Sequence, residues 1–496
     1  MIKTNNAVII GNSDNVAVTL EDIKKGDNVI NITAVSPIPA GHKIAIKSIS
    51  QGENLIKYDN PIGHATASIQ PGEHVHTHNL KTNLSGILEY TYNPTATKMT
   101  PPLSQATFDG YVRKNGQVGI RNEIWIINTV GCVNKIAEKI AAESNKRHTG
   151  KVDGVYTFVH PYGCSQLGDD HTHTQYILKN LANHPNAAGV LVLGLGCENN
   201  HIEEFKQVLG EWDDSRLKFL NTQDVSDDIA AGLSIVDELV AYAEKFKREP
   251  VPVSKLVIGL KCGGSDGFSG ITANPLVGRL SDTVIQHGGV CLLTEVPEMF
   301  GAETLLMNRC TTEAVFDKSV SLINDFKEYF IRYNQEIYEN PSPGNKEGGI
   351  TTLEEKSLGC TQKGGLSPVV DVLNYGETVK NPGLVLLQGP GNDIVAVTNL
   401  AAAGAHIVLF TTGRGTPLGG PVPTVKISSN TALAANKPHW IDFDAGVVLD
   451  DDAISMDALT SQFFDYILRL AGGNVLAKNE VNDYREISIF KDGVTL

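Results

Sequence analysis

The side chains best suited to chemistry here are cysteines at the ends of apolar runs and a short run of histidines. Four cysteines close polar, glycine-rich turns: Thr129-Val-Gly-Cys132, His160-Pro-Tyr-Gly-Cys164, Gly194-Leu-Gly-Cys197 and Lys261-Cys262-Gly-Gly264. Thr294-Glu295-Val-Pro-Glu298 and Thr411-Thr-Gly-Arg414-Gly-Thr-Pro417 end strands in the same way. Strand ends of a parallel sheet share one edge, so Cys132, Cys164, Cys197, Cys262, Glu295 and Arg414 are expected to face one cleft. Thiolates gathered there can ligate iron, as a single ion or as a cluster. A cysteine standing alone is more often a small buried apolar residue.

The histidines lie in Glu73-His74-Val-His76-Thr-His78. A strand puts all three on one face with neighbours ~7 Å apart, too far to share a metal unless the strand bends. The Gly41-His42 turn could then complete a site; the alternative is a solvated polar face. Asp169-Asp-His-Thr-His173 reads as acids at a helix N-terminus.

The stretch Leu256–Pro275 runs from an apolar strand through a loop with four glycines into a helix pattern. That order places backbone donors and the side chains of Ser265, Asp266 and Asn274 where polar ligands and anions bind. A tight structural turn is the competing reading. In Glu339-Asn-Pro-Ser-Pro-Gly-Asn-Lys346-Glu-Gly-Gly349, two prolines and three glycines predict a long exposed loop without helix. Lys346 there is a general base if buried and a carboxylate clamp if not. Arg414, between glycines, can grip a carboxylate with two parallel hydrogen bonds.

Three regions must position these groups. Residues 1–92 alternate apolar and polar with frequent turn signals, which predicts a small all-β module. Residues 93–107 read as an extended linker. Strands then alternate with amphipathic helices over 108–250 and 251–496, two α/β layers with mostly parallel sheet, Arg248–Val253 marking the boundary. The net charge of −15 argues against a nucleic-acid or anionic-membrane surface. No apolar run approaches a membrane span, and the start lacks a signal-peptide core. Seven scattered cysteines are not a disulfide framework, which points to a reducing cytoplasm.

Taken together, Gly41-His-Lys43, Gly72-Glu-His-Val-His76, Gly131-Cys-Val-Asn134, Tyr162-Gly-Cys164, Gly194-Leu-Gly-Cys-Glu198, Cys262-Gly-Gly-Ser-Asp266, Ser269-Gly-Ile-Thr-Ala-Asn-Pro275, Asn340-Pro-Ser-Pro-Gly-Asn-Lys346 and Thr412-Gly-Arg-Gly-Thr-Pro417 resemble the altronate and galactarate dehydratase family over nearly the full length. The resemblance implies an N-terminal β-clip (SAF-type) domain, a middle domain used for homodimerisation and a C-terminal Rossmann-like variant. It also implies dehydration of a sugar acid with divalent iron, or manganese. The histidine-rich segment favours D-altronate, giving 2-keto-3-deoxy-D-gluconate, over galactarate or another hydroxyacid. The expected site has His42, His160 and Lys346 in proton transfer and Ser265, Asp266, Asn274 and Arg414 on the substrate. The metal is expected on ligands among His74, His76, Cys164, Cys197 and Cys262. A nicotinamide-dependent oxidoreductase is the reading of another class; Gly194-Leu-Gly-Cys lacks the third glycine of that fingerprint. A non-enzymatic sugar-acid sensor is a further alternative.

Overall fold

The computed structural model describes residues 2–95, 106–450 and 453–496; most of the expected linker, 96–105, lies outside them. The N-terminal region is all-β. Ile2–Lys3, Ala7–Ile9, Val16–Thr19, Lys43–Ala45 and His74–Val75 form an antiparallel sheet. Asn54–Lys57, Asn60–Ala65 and Leu80–Lys81 form a second. Alternation turns Val16, Leu55, Ile62 and Val75 into a core that also takes Ala302 and Leu358 from the C-terminal region. The module is therefore packed onto the rest of the chain.

The middle region is a parallel sheet in the order Val155–Thr157, Glu123–Asn128, Ala187–Gly194, Leu217–Asn221. Its central strands are buried along their whole length, because helices cover both faces. Helices Asn134–Arg147 and Asp228–Ala243 pack together on one side of it. Gly168–Asn183 lies against helix Asp393–Ala402 of the next region.

The expected boundary at Arg248–Val253 proves to be structured. Arg248–Pro252 is a strand that pairs antiparallel with Thr107–Val112. The chain thus enters and leaves the middle region side by side, and Phe108, Val118 and Val251 join the C-terminal core.

Seven parallel strands form the C-terminal sheet, in the order Val369–Leu373, Gly383–Leu387, Val290–Leu293, Val257–Cys262, Ile407–Thr412, Thr424–Ser428, Phe443–Asp444. From Val257–Cys262 the chain first builds to one side, and Ile407–Thr412 begins the other. The crevice between the carboxyl ends of these two strands is a topological switch point, where ligands of open α/β sheets bind. Among the described residues no helix is long and apolar enough to cross a membrane.

One sequence expectation is corrected, and one helix the sequence did not signal is added. Residues 339–349 do contain a helix, Pro343–Glu347. Proline is tolerated at its first position, and Ser342 and Asn345 form a reciprocal capping box. Leu353–Cys360, buried at every position, is also helical; burial all round erased the amphipathic signal.

Candidate active site

The switch-point loops are held together by backbone. Gly413 and Arg414 both donate their N–H to the Gly264 carbonyl, at 3.0 Å each. Gly264 has φ +65, and a Cβ on Gly413 would lie 2.2 Å from the Asp266 carboxyl carbon, so neither position accepts a side chain without a shift. Above them opens a cavity of about 810 Å³. Cys262, Glu298, Glu339, Lys346, Lys356 and Asp393 supply its ionisable lining, with Asn340, Asn345 and Asn392 beside them.

The floor is a buried charge network. Lys261 Nζ donates to Glu295 Oε1 at 2.5 Å and to Asp393 Oδ1 at 2.7 Å. Glu295 has the left-handed φ of 70, rare for a residue with a Cβ, and accepts the Cys262 N–H at 2.9 Å. Glu298 Oε1 lies 2.8 Å from Lys356 Nζ, while its Oε2 accepts from Cys262 Sγ at 3.0 Å and from Cys360 Sγ at 3.2 Å. The two sulfurs are 3.3 Å apart. The Cys360 hydrogen bond, with Lys363 and Lys356 nearby, pushes the Cys262 thiol down to about 6 and raises Cys360 in return. Burial alone would raise Glu298; Lys356, Lys363 and Lys261 outweigh it and hold the carboxyl well below its usual range. Burial likewise opposes charge on Lys356, yet Glu298 keeps it protonated.

These residues fit a metal. Cys262, Glu298 and Cys360 offer three ligand atoms within 4.8 Å of one another, the one such group of His, Cys, Asp and Glu among the described residues. Lys261, Lys356 and Lys363 balance Glu295, Glu298 and Asp393 in charge. A dication that displaces two thiol protons would leave the site neutral, as burial demands.

Helix Leu353–Cys360 joins this floor to the β module. Lys356 and Cys360, one turn apart, serve the floor. Glu355 accepts from Lys43 Nζ at 2.9 Å and Lys57 Nζ at 2.8 Å, all three fully buried. Glu354 accepts from the Thr82 hydroxyl and the Asn83 N–H. So docked, the module sets its histidines against helix Pro343–Glu347. His42 Nε2 meets the Glu347 carbonyl at 3.0 Å and His76 Nε2 the Lys346 carbonyl at 2.9 Å. A carbonyl can only accept, so both rings carry their proton on Nε2 and leave Nδ1 as the basic atom. His74 Nε2 then donates to His42 Nδ1 at 3.0 Å. The strand ends at Val75, and the chain turns at His76, so the rings of His42, His74 and His76 come within 5.5 Å of one another. Burial lowers all three, His74 to about 3, which keeps them neutral.

The remaining sequence candidates fall elsewhere. Cys132, Cys164 and Cys197 are exposed at the edge of the four-stranded sheet, whereas Cys262, Glu295 and Arg414 belong to the seven-stranded one. The single cleft expected for all six is therefore corrected: the strand ends belong to two sheets. Nor do His74, His76, Cys164, Cys197 and Cys262 form one ligand group. His160 is buried; Nε2 is bound to the Asn128 carbonyl and Nδ1 accepts the Tyr162 N–H. Asp266 accepts from Ser269, Ser429 and Asn430. Asn274 bridges Gly359 and Thr411, and the Ser265 carbonyl accepts from Asn345. These three knit the loop together. Arg414 sits on the rim, 2.9 Å from Glu347. Sequence reasoning missed Glu298, Lys356, Cys360, Lys363 and Asp393. Glu298 alone had a signal, the strand-end turn that contains it.

Comparison with known proteins adds three domain matches. Residues 5–83 match the altronate/galactarate dehydratase SAF domain, and 110–244 the second domain of D-galactarate dehydratase/altronate hydrolase. Residues 253–495 match the D-galactarate/altronate dehydratase C-terminal domain. The chain is 54% identical over 494 residues to an altronate dehydratase of Bacillus subtilis, covering 98% of this chain and 99% of that one. It is 54% identical over 489 residues to one of Escherichia coli, covering 97% and 98%. A galactarate dehydratase (L-threo-forming) of Escherichia coli is 32% identical over 485 residues, covering 94% and 92%.

Proposed function

Since this chain belongs to the altronate and galactarate dehydratase family, we propose that it removes water from D-altronate to give 2-keto-3-deoxy-D-gluconate. The observation that carries the reading is the Cys262–Glu298–Cys360 group at the floor of a cavity lined by Lys346 and Lys356. Identity of 54% to an altronate dehydratase against 32% to a galactarate dehydratase, over nearly the same length, favours altronate as the substrate.

The α-hydrogen beside a carboxylate is a weak acid, so the site must stabilise the enediolate that its loss creates. A divalent iron or manganese ion held by Cys262, Glu298 and Cys360 would supply Lewis acidity there; the two thiolates favour iron. Lys356 is pinned by Glu298, Asn340 and Asn345 and presents a fixed positive charge. With Lys346 it grips the substrate carboxylate, and Arg414 guards the rim. The C2 proton passes to the histidine cluster, with His42 as acceptor through Nδ1, where His74 now donates. His160, committed to backbone on both nitrogens, is left out of this assignment. The C3 hydroxyl then leaves as water, taking up the proton held by the histidines, and the resulting enol becomes the keto acid unaided.

The seven-stranded sheet reads as a Rossmann-like variant, one extra strand standing between its outermost strand and the rest. Homodimerisation through the middle region is supported by the exposed Val159, Leu167, Tyr176 and Trp212. The free thiols support a cytoplasmic setting.

Purified chain supplied with Fe2+ is expected to form α-keto acid from D-altronate faster than from galactarate. Cys262→Ser and Glu298→Gln should each cut the rate by more than about 100-fold, with loss of bound metal. Undiminished turnover after chelation would overturn the reading.

A further inference from the structure

Three of the seven cysteines, Cys132, Cys164 and Cys197, are exposed, and the site above uses none of them. Each follows a different strand of the four-stranded sheet, and those strands are immediate neighbours, Glu123–Asn128 lying between Val155–Thr157 and Ala187–Gly194. The three loops are stitched to one another. Gly131 donates its N–H to the Tyr162 carbonyl at 2.9 Å, and Asn200 to the Gly163 carbonyl at 3.0 Å. Ser165 N–H reaches Asn199 Oδ1 at 2.8 Å, and Asn200 Nδ2 reaches the Thr129 carbonyl. A Cβ on Gly163 would lie 1.9 Å from the Thr129 carbonyl oxygen, and one on Gly131 2.6 Å from that of His160. Glu198, buried, is clamped by the Thr129 hydroxyl and the N–H groups of Leu195 and Gly196, which fixes the Cys197 turn. Gln223 Nε2 donates to Cys197 Sγ at 3.5 Å. All this order surrounds three thiols that face solvent.

We propose that Cys132, Cys164 and Cys197 bind a cubane iron–sulfur cluster through three of its irons, leaving the fourth open to an oxygen ligand. The three sulfurs do not all lie within 4.8 Å of one another, unlike those around Cys262. Sulfurs that far apart do not meet on a single ion, whereas a cluster's own sulfides fill a wider middle. One cysteine per loop also departs from the paired cysteines and fourth ligand of structural zinc sites. The open iron has the chemistry to take a hydroxyl or carboxylate oxygen. This inference does not rest on the metal assignment at Cys262.

The test is anaerobic reconstitution of the full chain with Fe2+ and sulfide. Unaltered protein should gain broad visible charge-transfer absorbance and retain acid-labile sulfide after desalting. Cys262→Ser and Cys360→Ser should keep both signals. Cys132→Ser, Cys164→Ser and Cys197→Ser should each lose them to background, with circular dichroism confirming the fold. Retained signals in the triple variant, no retained sulfide in unaltered protein, or loss tied to Cys262 would each overturn the proposal. Loss of mononuclear iron in Cys262→Ser with the cluster intact separates the two sites.

Discussion

At the scale of single residues, the Cys262–Cys360 pair is the most sensitive element of the site. Two buried thiols 3.3 Å apart share one proton better than they hold two, and the neighbouring lysines favour the charged form. In metal-free protein, one thiolate should form with a midpoint near about 6. Cys360→Ala removes the hydrogen-bond donor at that position. It should move the Cys262 midpoint upward, toward the ordinary thiol value of about 8.5. Thiolate absorbance followed against pH checks this, and an unmoved midpoint would mean the lysines alone set it. The lysines around the pair were invisible in the sequence, because Lys356 and Lys363 share no spacing with Cys262 and meet it only in three dimensions; the carboxylates Glu295 and Glu298 showed only as a strand-end turn. Cys262 was legible because it closes a strand before two glycines, a local pattern with a local cause.

At the scale of elements, helix Leu353–Cys360 carries the most consequence for its length. It links module and floor, and one of its residues, Glu355, pairs with two buried lysines at once. Glu355→Gln would leave Lys43 and Lys57 without a counter-charge, costing about 3–5 kcal/mol of stability. Denaturant unfolding of the full chain measures it. Burial would raise the Glu355 carboxyl, but Lys43 and Lys57 outweigh burial and hold it far below 4.5. The unfolded state therefore binds the proton first on acidification. The stabilisation is complete above that ordinary value and fades as pH falls through the depressed one. The strands and long helices around this segment were readable from period and turn residues. This helix was not: a segment buried on every side shows no 3.6-residue alternation. Pro343–Glu347 was hidden differently, since its prolines and glycines spell a loop until the Ser342 cap is recognised. The gathering of His42 with His74 and His76 was half legible; the strand's end after Val75, which lets the rings approach, was not.

At the scale of the whole molecule, the two parallel sheets share a core. Leu178 and Leu181 of helix Gly168–Asn183 belong to the same apolar cluster as Val397, Leu400 and Ala401 of helix Asp393–Ala402. The C-terminal segment adds a second tie: Asp170 accepts the N–H groups of Asp492 and Gly493, and Leu496 donates to the Ser165 carbonyl beside Cys164. Two regions joined in this way should lose structure together. Leu181→Ala, at a fully buried position, should cost about 2–5 kcal/mol. Hydrogen exchange should then show protection falling by a similar factor in strand Glu123–Asn128 and in strand Ile407–Thr412, although the substitution lies outside the seven-stranded sheet. Loss confined to the middle region would mean that the shared core does not couple the sheets. Coupled loss would mean that the floor at Cys262 and the thiols at Cys132, Cys164 and Cys197 stand on one cooperative scaffold, so that damage beneath either reaches the other.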